Sequence, residues 1–523
     1  MRHGIYFGLG FLLAVLTLTG AAAAPSRIET MDGSVIVGEI VSNGAGVYHV
    51  RTGFGDITIP AAKVRTIRAL GDVSGTATPP NAVPGADSDL VIQGSNTIGA
   101  QLMPALLEAY FGHDGKAQLE WVQGTSEEER TLDVKAEDGQ TLRIQLNSHG
   151  SKTAFEGLLA KAIDIGAASR PVTDNEVADA ERSGIGDLRS PSSEHVLALD
   201  GLVVIVNREN PISALSLEDI GKVFAGEITD WSALGGAPGP IDVYARDDKS
   251  GTFDTFKSLV LGNREVRAQK RFDSNPELSD TVAADRQGIG FTGFAYVRNA
   301  KPLSLRTRCG DVLGAEEFTV KTEEYPLSRR LFLYTPLEQR RQIAGDMLEY
   351  ALSPNVQKIV ADNGFINLEI EISGEGYAPD RLASALAITQ PGIDPGSQSN
   401  ALYRQFAART RGARRLSVTF RFRSGAADLD SRALRDLDRL AAYVRGPEIG
   451  GRRLMLLGFA DPRGSLASNL ALSRSRAERV AAVLQQKQVT IGEVIGFGPL
   501  FPVACNADDV GMAKNRRVEV WVD

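Results

Sequence analysis

Residues 89–368 alternate between apolar runs of strand length and longer stretches with helical periodicity. Residues 202–206 are a typical strand, and residues 98–111 are a typical helical stretch. Because parallel strands need crossover connections that are usually helical, this alternation predicts an α/β architecture with a largely parallel sheet. Residues 131–146 interrupt the pattern with turn residues between two alternating runs, which predicts an inserted β-hairpin.

The segments on either side predict further modules. Residues 26–70 consist of short alternating runs separated by turn residues, which predicts a small β meander or SH3-like barrel with a structural or adaptor role. Residues 71–87, rich in Gly, Ala, Thr and Pro, and the irregular residues 371–413 are predicted linkers. Residues 414–523 predict one compact α+β domain in the order β-α-β-α-β-β.

The N-terminus has the composition of an export signal. Arg2 and His3 precede an apolar run over residues 5–18, and small residues in A-x-A spacing end at Pro25. This pattern predicts a secretory signal peptide over residues 1–24. The apolar run is shorter than the roughly 20 residues that a membrane span needs. We therefore expect an exported, soluble protein.

Composition excludes several classes of protein. Hydrophobic residues make up 43% and charged residues 23%, which rules out general disorder, collagen and a polytopic membrane protein. The two cysteines exclude a disulfide-dense scaffold or a multi-cysteine metal site, and the five histidines are scattered. We therefore expect neither a metal nor a cofactor.

The net charge of −8 is unevenly distributed. Residues 411–523 carry 19 Lys and Arg against 12 Asp and Glu, an excess of seven positive charges, so residues 1–410 carry an excess of fifteen negative charges. An acidic body argues against nucleic acid as a partner. The basic tail either meets an anionic polymer or has an arginine-rich, solvated surface.

Three predicted helix starts in the central region share small hydroxyl residues next to Gly. They are Gly94-Ser95-Asn96-Thr97, Gly150-Ser151-Lys152-Thr153 and Lys249-Ser250-Gly251-Thr252. Backbone N–H groups at a helix start favour an anion, and Arg246 adds donors suited to a tetrahedral oxyanion. Taken singly, such starts are usually ordinary N-caps. The sequence has no Gly-x-x-x-x-Gly-Lys-Ser/Thr loop, so nucleotide hydrolysis lacks its usual phosphate cradle.

At these residues the region resembles the periplasmic phosphate-binding proteins of the PstS type, over residues 88–370. Besides the helix starts, the shared segments are residues 164–171, 224–231 and 324–330. The resemblance implies a two-lobed, type II binding-protein fold that closes on phosphate. The phosphate ligands it implies are Thr97, Ile98 through its backbone, Ser151, Ser169, Arg246, Ser250, Gly251 and Thr252. Closure is expected about a hinge near residues 199–206 and 289–297.

One departure from this family concerns selectivity. Where relatives can place an aspartate that accepts the proton of hydrogen phosphate, this chain has Ser169. A serine donates as well as accepts, so selectivity against sulfate or arsenate is open. The adjacent Arg170 either adds a donor or forms a salt bridge with a carboxylate such as Asp174.

Other polar residues do not combine into a catalytic site. The pair Asp247-Asp248 either orients Arg246 or belongs to the loop surface. His149 precedes Gly150, but no nucleophile pattern such as G-x-S-x-G accompanies it. We therefore expect a binding protein and not an enzyme, because a secreted phosphatase needs a nucleophile and metal ligands.

Residues 414–523 resemble an OmpA-like peptidoglycan-binding domain. The resemblance rests on Gly458-Phe459-Ala460-Asp461, on the helix that follows Asn469, and on Asn515-Arg516-Arg517. It implies that diaminopimelate of the wall peptide places its ammonium on Asp461 and a carboxylate on Arg476. The other site residues it implies are Asn469, Leu472, Ser473 and Arg517.

Two questions about this domain stay open at this point. The family's more common Gly-His-Thr-Asp is replaced by Gly-Phe-Ala-Asp, which removes two polar side chains, and Asp461 and Arg476 could instead form only an internal salt bridge. Cys309 and Cys505 lie in different predicted domains, and a disulfide between them needs Cα atoms within about 7 Å. Export permits that bond, but separate thiols are the slightly preferred expectation.

Together these patterns predict a periplasmic phosphate-binding protein held at the cell wall, on the outer-membrane side, by its C-terminal domain. An ABC permease is a candidate recipient of the ligand, although attachment to the wall suits sensing or storage as well. The alternative is a wall-bound scaffold whose binding-protein fold has lost or changed its ligand.

Overall fold

The structure is a computed structural model with two compact units, Met1–Ala82 and Val83–Asp523. It describes residues 26–30, 35–44, 46–52, 55–69, 88–113, 115–309, 312–337, 341–374, 397–422, 429–447, 449, 451–507 and 509–523. The predicted signal peptide (1–24) and first linker (71–87) lie outside the described residues. Among the helices that the structure describes, none is both long and apolar enough to cross a membrane.

The N-terminal unit is a five-stranded antiparallel sheet. Its strands are β1 (Ser26–Thr30), β2 (Val35–Gly44), β3 (Val47–Thr52), β4 (Gly55–Pro60) and β5 (Val64–Ala69). They lie in the order β4-β3-β2-β1-β5, and alternation along the strands places Ile28, Val50 and Ile59 in one small core. This arrangement agrees with the predicted meander. Within the described residues β4 does not pair with β5, so no closed barrel forms there.

The central region contains ten helices and fourteen strands in its described part. The helices are α1 (Asn96–Gly99), α2 (Leu102–Phe111), α3 (Ser151–Leu159), α4 (Asp174–Arg182), α5 (Leu217–Phe224), α6 (Gly251–Phe256), α7 (Asn275–Ala284), α8 (Glu317–Lys321), α9 (Gln342–Ala351) and α10 (Gln357–Asp362). The strands are β6 (Leu90–Gly94), β7 (Gln118–Gln123), β8 (Glu129–Lys135), β9 (Thr141–Asn147), β10 (Ile165–Ala168), β11 (Glu194–Val206), β12 (Ala214–Ser216), β13 (Asp242–Arg246), β14 (Lys270–Phe272), β15 (Gly288–Gly293), β16 (Lys301–Pro302), β17 (Ser304–Arg306), β18 (Val312–Leu313) and β19 (Ser328–Tyr334).

The main sheet is mixed, in the order β14-β13-β15-β11-β19-β10-β6-β9-β8-β7. Strand β6 pairs in parallel with β9 and β10, and β13 pairs in parallel with β14 and β15. Strands β11 and β19 run antiparallel to each other and to their other neighbours on this path. The prediction of a largely parallel sheet is therefore wrong for its centre. The predicted hairpin is confirmed as β8 and β9, and β7 extends it by one strand.

Strands β11 and β19 join two lobes. We call β6–β10 with α1–α4 the first lobe, and β13–β15 with α5–α7 the second lobe. The first part of β11 pairs with β19, whereas Leu202–Val206 pairs with β15, so β11 passes from the first lobe into the second. The chain returns to the first lobe at β19. The expected hinge near 199–206 matches β11, but residues 289–297 begin in β15, inside the second lobe, and are not the return strand.

The C-terminal domain consists of a four-stranded sheet covered by helices. Its elements are α11 (Ser397–Thr410), β20 (Arg414–Arg421), α12 (Ser431–Arg445), β21 (Leu454–Gly458), α13 (Leu466–Gln486), β22 (Ile491–Gly496), α14 (Asp509–Asn515) and β23 (Arg517–Val522). The strand order is β20-β23-β21-β22. Helices α12 and α13 share a buried cluster with the sheet residues Leu416, Leu456 and Val520. The predicted element order is therefore confirmed, with α14 in addition.

Helix α11 lies inside the segment predicted as the second linker. Its Phe406 is fully buried and stacks on Phe501 at 4.0 Å between ring centroids, so this helix belongs to the core of the C-terminal domain. The Pro and Gly residues that suggested a linker end just before Ser397. Residues 375–396 lie outside the described part.

A disulfide joins the C-terminal domain to the central region. Cys309 and Cys505 are bonded, with Cα atoms 5.9 Å apart. The slightly preferred expectation of separate thiols is therefore wrong. The two regions belong to one compact unit, which a reading of predicted linkers and domains along the sequence did not reveal.

Candidate functional sites

The three hydroxyl-rich helix starts meet between the two lobes. Helices α1 and α3 begin in the first lobe, and α6 begins in the second. Thr97 Oγ1 lies 3.1 Å from Thr252 Oγ1. A Cβ on Gly251 would lie 2.1 Å from Ser151 Oγ, so only glycine fits there without displacing the serine. The lobes therefore touch through the predicted ligand residues themselves.

Ser169 completes this group from the end of β10. Its N–H donates to Ser151 Oγ at 2.9 Å, and the two hydroxyl oxygens lie 3.3 Å apart. Gly150, which precedes α3, has a φ of 110°, and a Cβ there would lie 2.0 Å from Lys249 O of the opposite lobe. Gly150 and Gly251 thus allow the two lobes to approach each other closely at the hydroxyl groups.

Two of the predicted residues also have local structural roles. The Ile98 side chain is fully buried in the core of the first lobe, which leaves only its backbone for a ligand. Ser250 Oγ accepts the N–H groups of Thr252 and Phe253 and so caps α6. A ligand could therefore use the hydroxyl proton of Ser250 but not its occupied acceptor positions.

Arg246, at the end of β13, is 1% exposed, and neutral oxygen atoms hold its guanidinium. It donates to Phe272 O at 3.1 Å, and also to Asp273 O and to Asn275 Oδ1. Burial lowers the pKa of Arg246 to about 10, and nearby Arg329 acts in the same direction. The side chain nevertheless stays charged at neutral pH, so the cleft contains a buried cation.

Sequence reasoning missed a second buried arginine, Arg329 on β19. It is 6% exposed, forms an ion pair with Asp200 Oδ2 at 2.6 Å, and donates to Thr252 Oγ1 at 2.8 Å. Arg329 lies in residues 324–330, which carried part of the family resemblance. Two adjacent arginines occur there, and only the orientation of β19 shows that Arg329 faces the cleft.

The start of α1 holds polar atoms without hydrogen bonds. Ser95 Oγ, Asn96 Oδ1 and Ser148 Oγ are buried, and none has a partner among the described residues. Ser95 precedes α1 but does not cap it through its side chain. A buried polar atom without a partner is costly, so such atoms in a cleft favour a polar ligand or water.

Arg170 and the pair Asp247-Asp248, whose roles the sequence left open, make contacts within the protein. Arg170 forms salt bridges with Glu176 at 2.7 Å and Asp254 at 2.8 Å, which agrees with the salt-bridge alternative but not with Asp174 as its partner. The pair Asp247-Asp248 belongs to the loop surface: Asp247 Oδ1 accepts the N–H of Lys249, and Asp248 pairs with Arg271.

One group of side chains could hold a metal ion. The ligand atoms of Glu128, His149 and Asp273 lie within 4.8 Å of one another, and this is the only such group in the described part of the chain. His149 Nε2 already contacts Glu129 Oε1 at 3.1 Å.

In the C-terminal domain, Asp461 follows β21 and already has two arginine partners. It accepts from Arg463 at 3.3 Å and from Arg516 at 2.9 Å. Although burial opposes it, these hydrogen bonds hold the pKa of Asp461 below its usual range. The possible internal salt bridge with Arg476 is therefore not the one that forms.

Arg476, on α13, is 6% exposed, and its Nε and Nη1 have no hydrogen-bond partner among the described residues. Burial lowers its pKa, and Arg516 acts in the same direction. Its guanidinium lies 5.4 Å from the Phe422 ring centroid. This is a buried cation with free donors, which suits a carboxylate ligand.

The remaining predicted residues of this site differ in their roles. Asn469 Nδ2 donates to Arg463 O at 3.0 Å, Ser473 Oγ accepts the N–H of Gly498 at 3.0 Å, and Leu472 is exposed. Arg517 is fully buried, pairs with Glu519 at 2.7 Å and lies over the Phe459 ring, so its guanidinium is engaged inside the domain. Its neighbour Arg516 contacts Asp461 instead, because successive residues of a strand face opposite sides.

Comparison with known families identifies both regions. Residues 122–355 match the model of a PBP superfamily domain, and residues 421–516 match the OmpA family. The chain therefore combines a domain of the PBP superfamily with a domain of the OmpA family.

Particular relatives exist for each region. The phosphate-binding protein PstS of Staphylococcus saprophyticus is 25% identical over 242 residues, which are 45% of this chain and 74% of the relative. Among solved structures, an ABC-type phosphate transport receptor from Vibrio cholerae is 21% identical with a TM-score of 0.40, over 53% of this chain and 99% of that one. The peptidoglycan-associated lipoprotein of Burkholderia pseudomallei is 26% identical with a TM-score of 0.19, over 20% of this chain and 89% of that one.

Proposed function

We propose that the cleft between the lobes binds a tetrahedral oxyanion, with inorganic phosphate as the main ligand. The observation that carries this proposal is an excess of buried positive charge. Arg246 and Arg329 are both nearly inaccessible. Arg329 forms a salt bridge with Asp200, whereas Arg246 forms none among the described residues. A buried charge without a counter-charge costs several kcal/mol, and a bound anion offsets that cost.

The ligand shell follows from the groups that meet in the cleft. The hydroxyls of Thr97 and Thr252 contact each other, as do those of Ser151 and Ser169, and Arg246 offers charged donors. The backbone of Ile98 and of Gly251, together with Ser250, would supply further donors. To this set we add Arg329, since its Nη1 reaches Thr252.

Selectivity between oxyanions follows from the carboxylates of the cleft. Asp200 Oδ2 accepts two hydrogen bonds from Arg329, and Oδ1 accepts the N–H of Phe294 at 3.0 Å. It is thus engaged within the protein, and Ser169 stands where relatives can have an aspartate. Because neither of these two positions presents a free carboxylate to repel a fully ionised ligand, sulfate is expected to bind within about tenfold of phosphate.

The C-terminal domain is proposed to attach the protein to peptidoglycan. Arg476 would bind a carboxylate of the diaminopimelate peptide, with Asn469, Leu472 and Ser473 shaping the site. Asp461 would take the ammonium of the same residue, in competition with Arg463 and Arg516. The match of residues 421–516 to the OmpA family supports this assignment.

These two activities describe a binding protein of the bacterial envelope, in the periplasm and close to the wall. The PstS relative is named for phosphate binding and not for catalysis, which supports a role without enzymatic turnover. Delivery to an ABC permease, sensing and storage are the roles such a protein could serve. The buried positive charge of the cleft favours them over a scaffold that has lost its ligand.

Isothermal titration of the exported chain, residues 25–523, with phosphate tests the cleft. We expect micromolar or tighter affinity, reduced about 100-fold or more in Arg246→Ala, because charge-assisted hydrogen bonds to a buried ligand are lost. Arg264→Ala is the matched control, since Arg264 forms only a partly exposed pair with Glu227 on the same lobe.

Sulfate is titrated into the same protein and then as a competitor. Competition within about tenfold supports the selectivity argument, and a much larger preference for phosphate contradicts it. No heat from either anion, with circular dichroism showing a folded protein, overturns the proposed oxyanion site.

A further inference from the structure

The C-terminal domain rests on both sides of the hinge that joins the two lobes. On the side of the first lobe, Ser431 Oγ donates to Glu194 Oε1 at 2.5 Å, and Arg435 donates to His195 Nδ1 at 3.2 Å. Both acceptors lie at the start of β11. One helix, α12, therefore holds the strand through which the chain leaves the first lobe.

On the side of the second lobe, the same domain holds residues 321–325, which lead into β19. Arg432 donates to Lys321 O at 2.8 Å, Arg421 donates to Thr322 O at 2.7 Å, and Lys514 Nζ donates to Tyr325 O at 2.7 Å. This segment packs on β11 through Tyr325, whose hydroxyl donates to Leu202 O. The disulfide between Cys309 and Cys505 adds a covalent link beyond β17.

A buried charge cluster forms the centre of this interface. Glu323 accepts from Arg330 at 2.5 Å and from Arg421 and Arg432 at 2.9 Å each, and Arg330 also pairs with Asp430 at 2.8 Å. Burial alone would raise the pKa of Glu323, but the three guanidiniums hold it well below its usual range. Breaking up such a cluster leaves buried charges without partners, so the contact is expected to be persistent.

The interface and the cleft meet on one strand. Arg329 and Arg330 are neighbours on β19 and point to opposite sides, as successive strand residues do. Arg329 contacts Asp200 and Thr252 in the cleft, whereas Arg330 contacts Glu323 and Asp430 at the interface. A shift of β19 would therefore change the contacts of Arg329 in the cleft and those of Arg330 at the interface together.

We propose that the C-terminal domain is a brace that holds the cleft closed. The inference rests on the proposed oxyanion function of the same cleft. Opening the lobes separates the start of β11 from residues 321–325, and the C-terminal domain spans both. The disulfide and the contacts with residues 321–325 keep this domain beside the second lobe. Opening therefore breaks the contacts of Ser431 and Arg435 with the first lobe, and anion release is coupled to their loss.

The test compares the exported chain with the double variant Ser431→Ala/Arg435→Gln. The variant loses both hydrogen bonds to the start of β11, and neither substituted residue lies in the cleft. We expect phosphate to dissociate about tenfold faster from the variant, because two partly buried hydrogen bonds no longer oppose opening. Dissociation is followed by stopped-flow chase of labelled phosphate. Arg474→Ala is the control, since Arg474 is exposed on α13 and pairs with Glu478.

A second measurement needs no ligand. Spin labels at Glu156→Cys, in the first lobe, and Arg286→Cys, in the second, report the distance between lobes by double electron–electron resonance. We expect one narrow distance in the anion-free parent and a broader distribution with longer distances in the variant. A parent distribution as broad as that of the variant overturns the brace, whether or not phosphate binds.

The two measurements separate this inference from the proposed function. If the parent binds no phosphate but the variant alone opens the lobes, the brace stands and the oxyanion assignment fails. If phosphate binds and neither its dissociation nor the lobe distance changes in the variant, the brace fails and the oxyanion site stands. A Cys309→Ser/Cys505→Ser variant measured in the same way is expected to lie between the parent and the double variant.

Discussion

The cleft and the C-terminal arginine site both present buried guanidiniums, but they hold them in opposite ways. In the cleft, Arg246 and Arg329 are oriented by backbone carbonyls, Asn275 and Asp200. In the C-terminal domain, two nitrogens of Arg476 have no hydrogen-bond partner in the described part of the chain, while Asp461 is shared between Arg463 and Arg516. The protein itself therefore holds the guanidiniums of the cleft in place, whereas Asp461 would have to exchange internal partners for the proposed ligand.

This difference has a physical consequence for affinity and specificity. A preorganised, enclosed site loses little on binding and distinguishes ligands by charge and shape. A site whose aspartate already has arginine partners gains only the difference between the new and the old interactions. We therefore expect tight, charge-dependent binding in the cleft and weaker binding in the C-terminal domain.

The largest expected effect is the loss of phosphate binding in Arg329→Gln. This change removes the charge that offsets Asp200 and leaves that carboxylate buried and facing the ligand. Phosphate affinity should fall about 100-fold by isothermal titration, whereas sedimentation of the protein with isolated sacculi should not change. A loss of less than threefold would show that Arg329 only positions Asp200.

The complementary change is Arg476→Ala in the C-terminal domain. The guanidinium is the proposed hydrogen-bond donor to a carboxylate of the wall peptide. The fraction of protein sedimented with sacculi should therefore fall about tenfold, and phosphate affinity should stay as in the parent. Arg474→Ala, two residues away and exposed, serves as the control. Wall binding that survives in Arg476→Ala contradicts the proposed role of this arginine.

The interface between the two regions should respond to pH through His195. Burial lowers the pKa of His195 to about 3, with Arg435 acting in the same direction, whereas the unfolded chain titrates near 6.5. Between these values the unfolded state takes up a proton that the folded state excludes. The free energy of unfolding should therefore decrease as the pH falls below about 6.5, by about 1.4 kcal/mol per pH unit from this group.

Urea denaturation at pH 7, 6 and 5, followed by tryptophan fluorescence, measures this slope. His195→Gln keeps an acceptor for Arg435 but cannot take up the proton, so its slope should be shallower by one proton. His113→Gln, at an exposed position of the first lobe, is the control variant. Equal slopes for the parent and His195→Gln would show that His195 does not titrate between the folded and unfolded states.

The sequence predicted most of the cleft because its residues occur in short local patterns. Ser151, Gly251 and Thr252 stand at helix starts that a hydroxyl and glycine pattern makes visible. Arg329 stayed hidden because two arginines are adjacent on β19, and the choice between them depends on a facing direction that the tertiary structure sets. The same ambiguity applies to the adjacent Arg516 and Arg517 in the C-terminal domain, where Arg516 contacts Asp461 and Arg517 pairs with Glu519.

Sequence patterns also did not predict the contacts between segments that are distant along the chain. Helix α11 has Pro and Gly just before it, and only its packing through Phe406 against Phe501 shows that it belongs to a core. The disulfide of Cys309 and Cys505 joins residues 196 positions apart. Such pairings depend on how domains dock, which has no local periodicity to reveal it.

The smallest expected effect is a gain of wall binding in Arg463→Ala. The Arg463 side chain is 56% exposed and pairs with Asp461, so solvent screens this salt bridge and it contributes little to stability. Its removal frees part of the Asp461 carboxylate for an ammonium, and the fraction bound to sacculi should rise about two- to fivefold at low salt. The gain should shrink at higher ionic strength, since the pair is screened in the parent. A decrease in binding would instead show that Arg463 itself contacts the wall peptide. The C-terminal site would then bind only carboxylates of the peptide and not its ammonium.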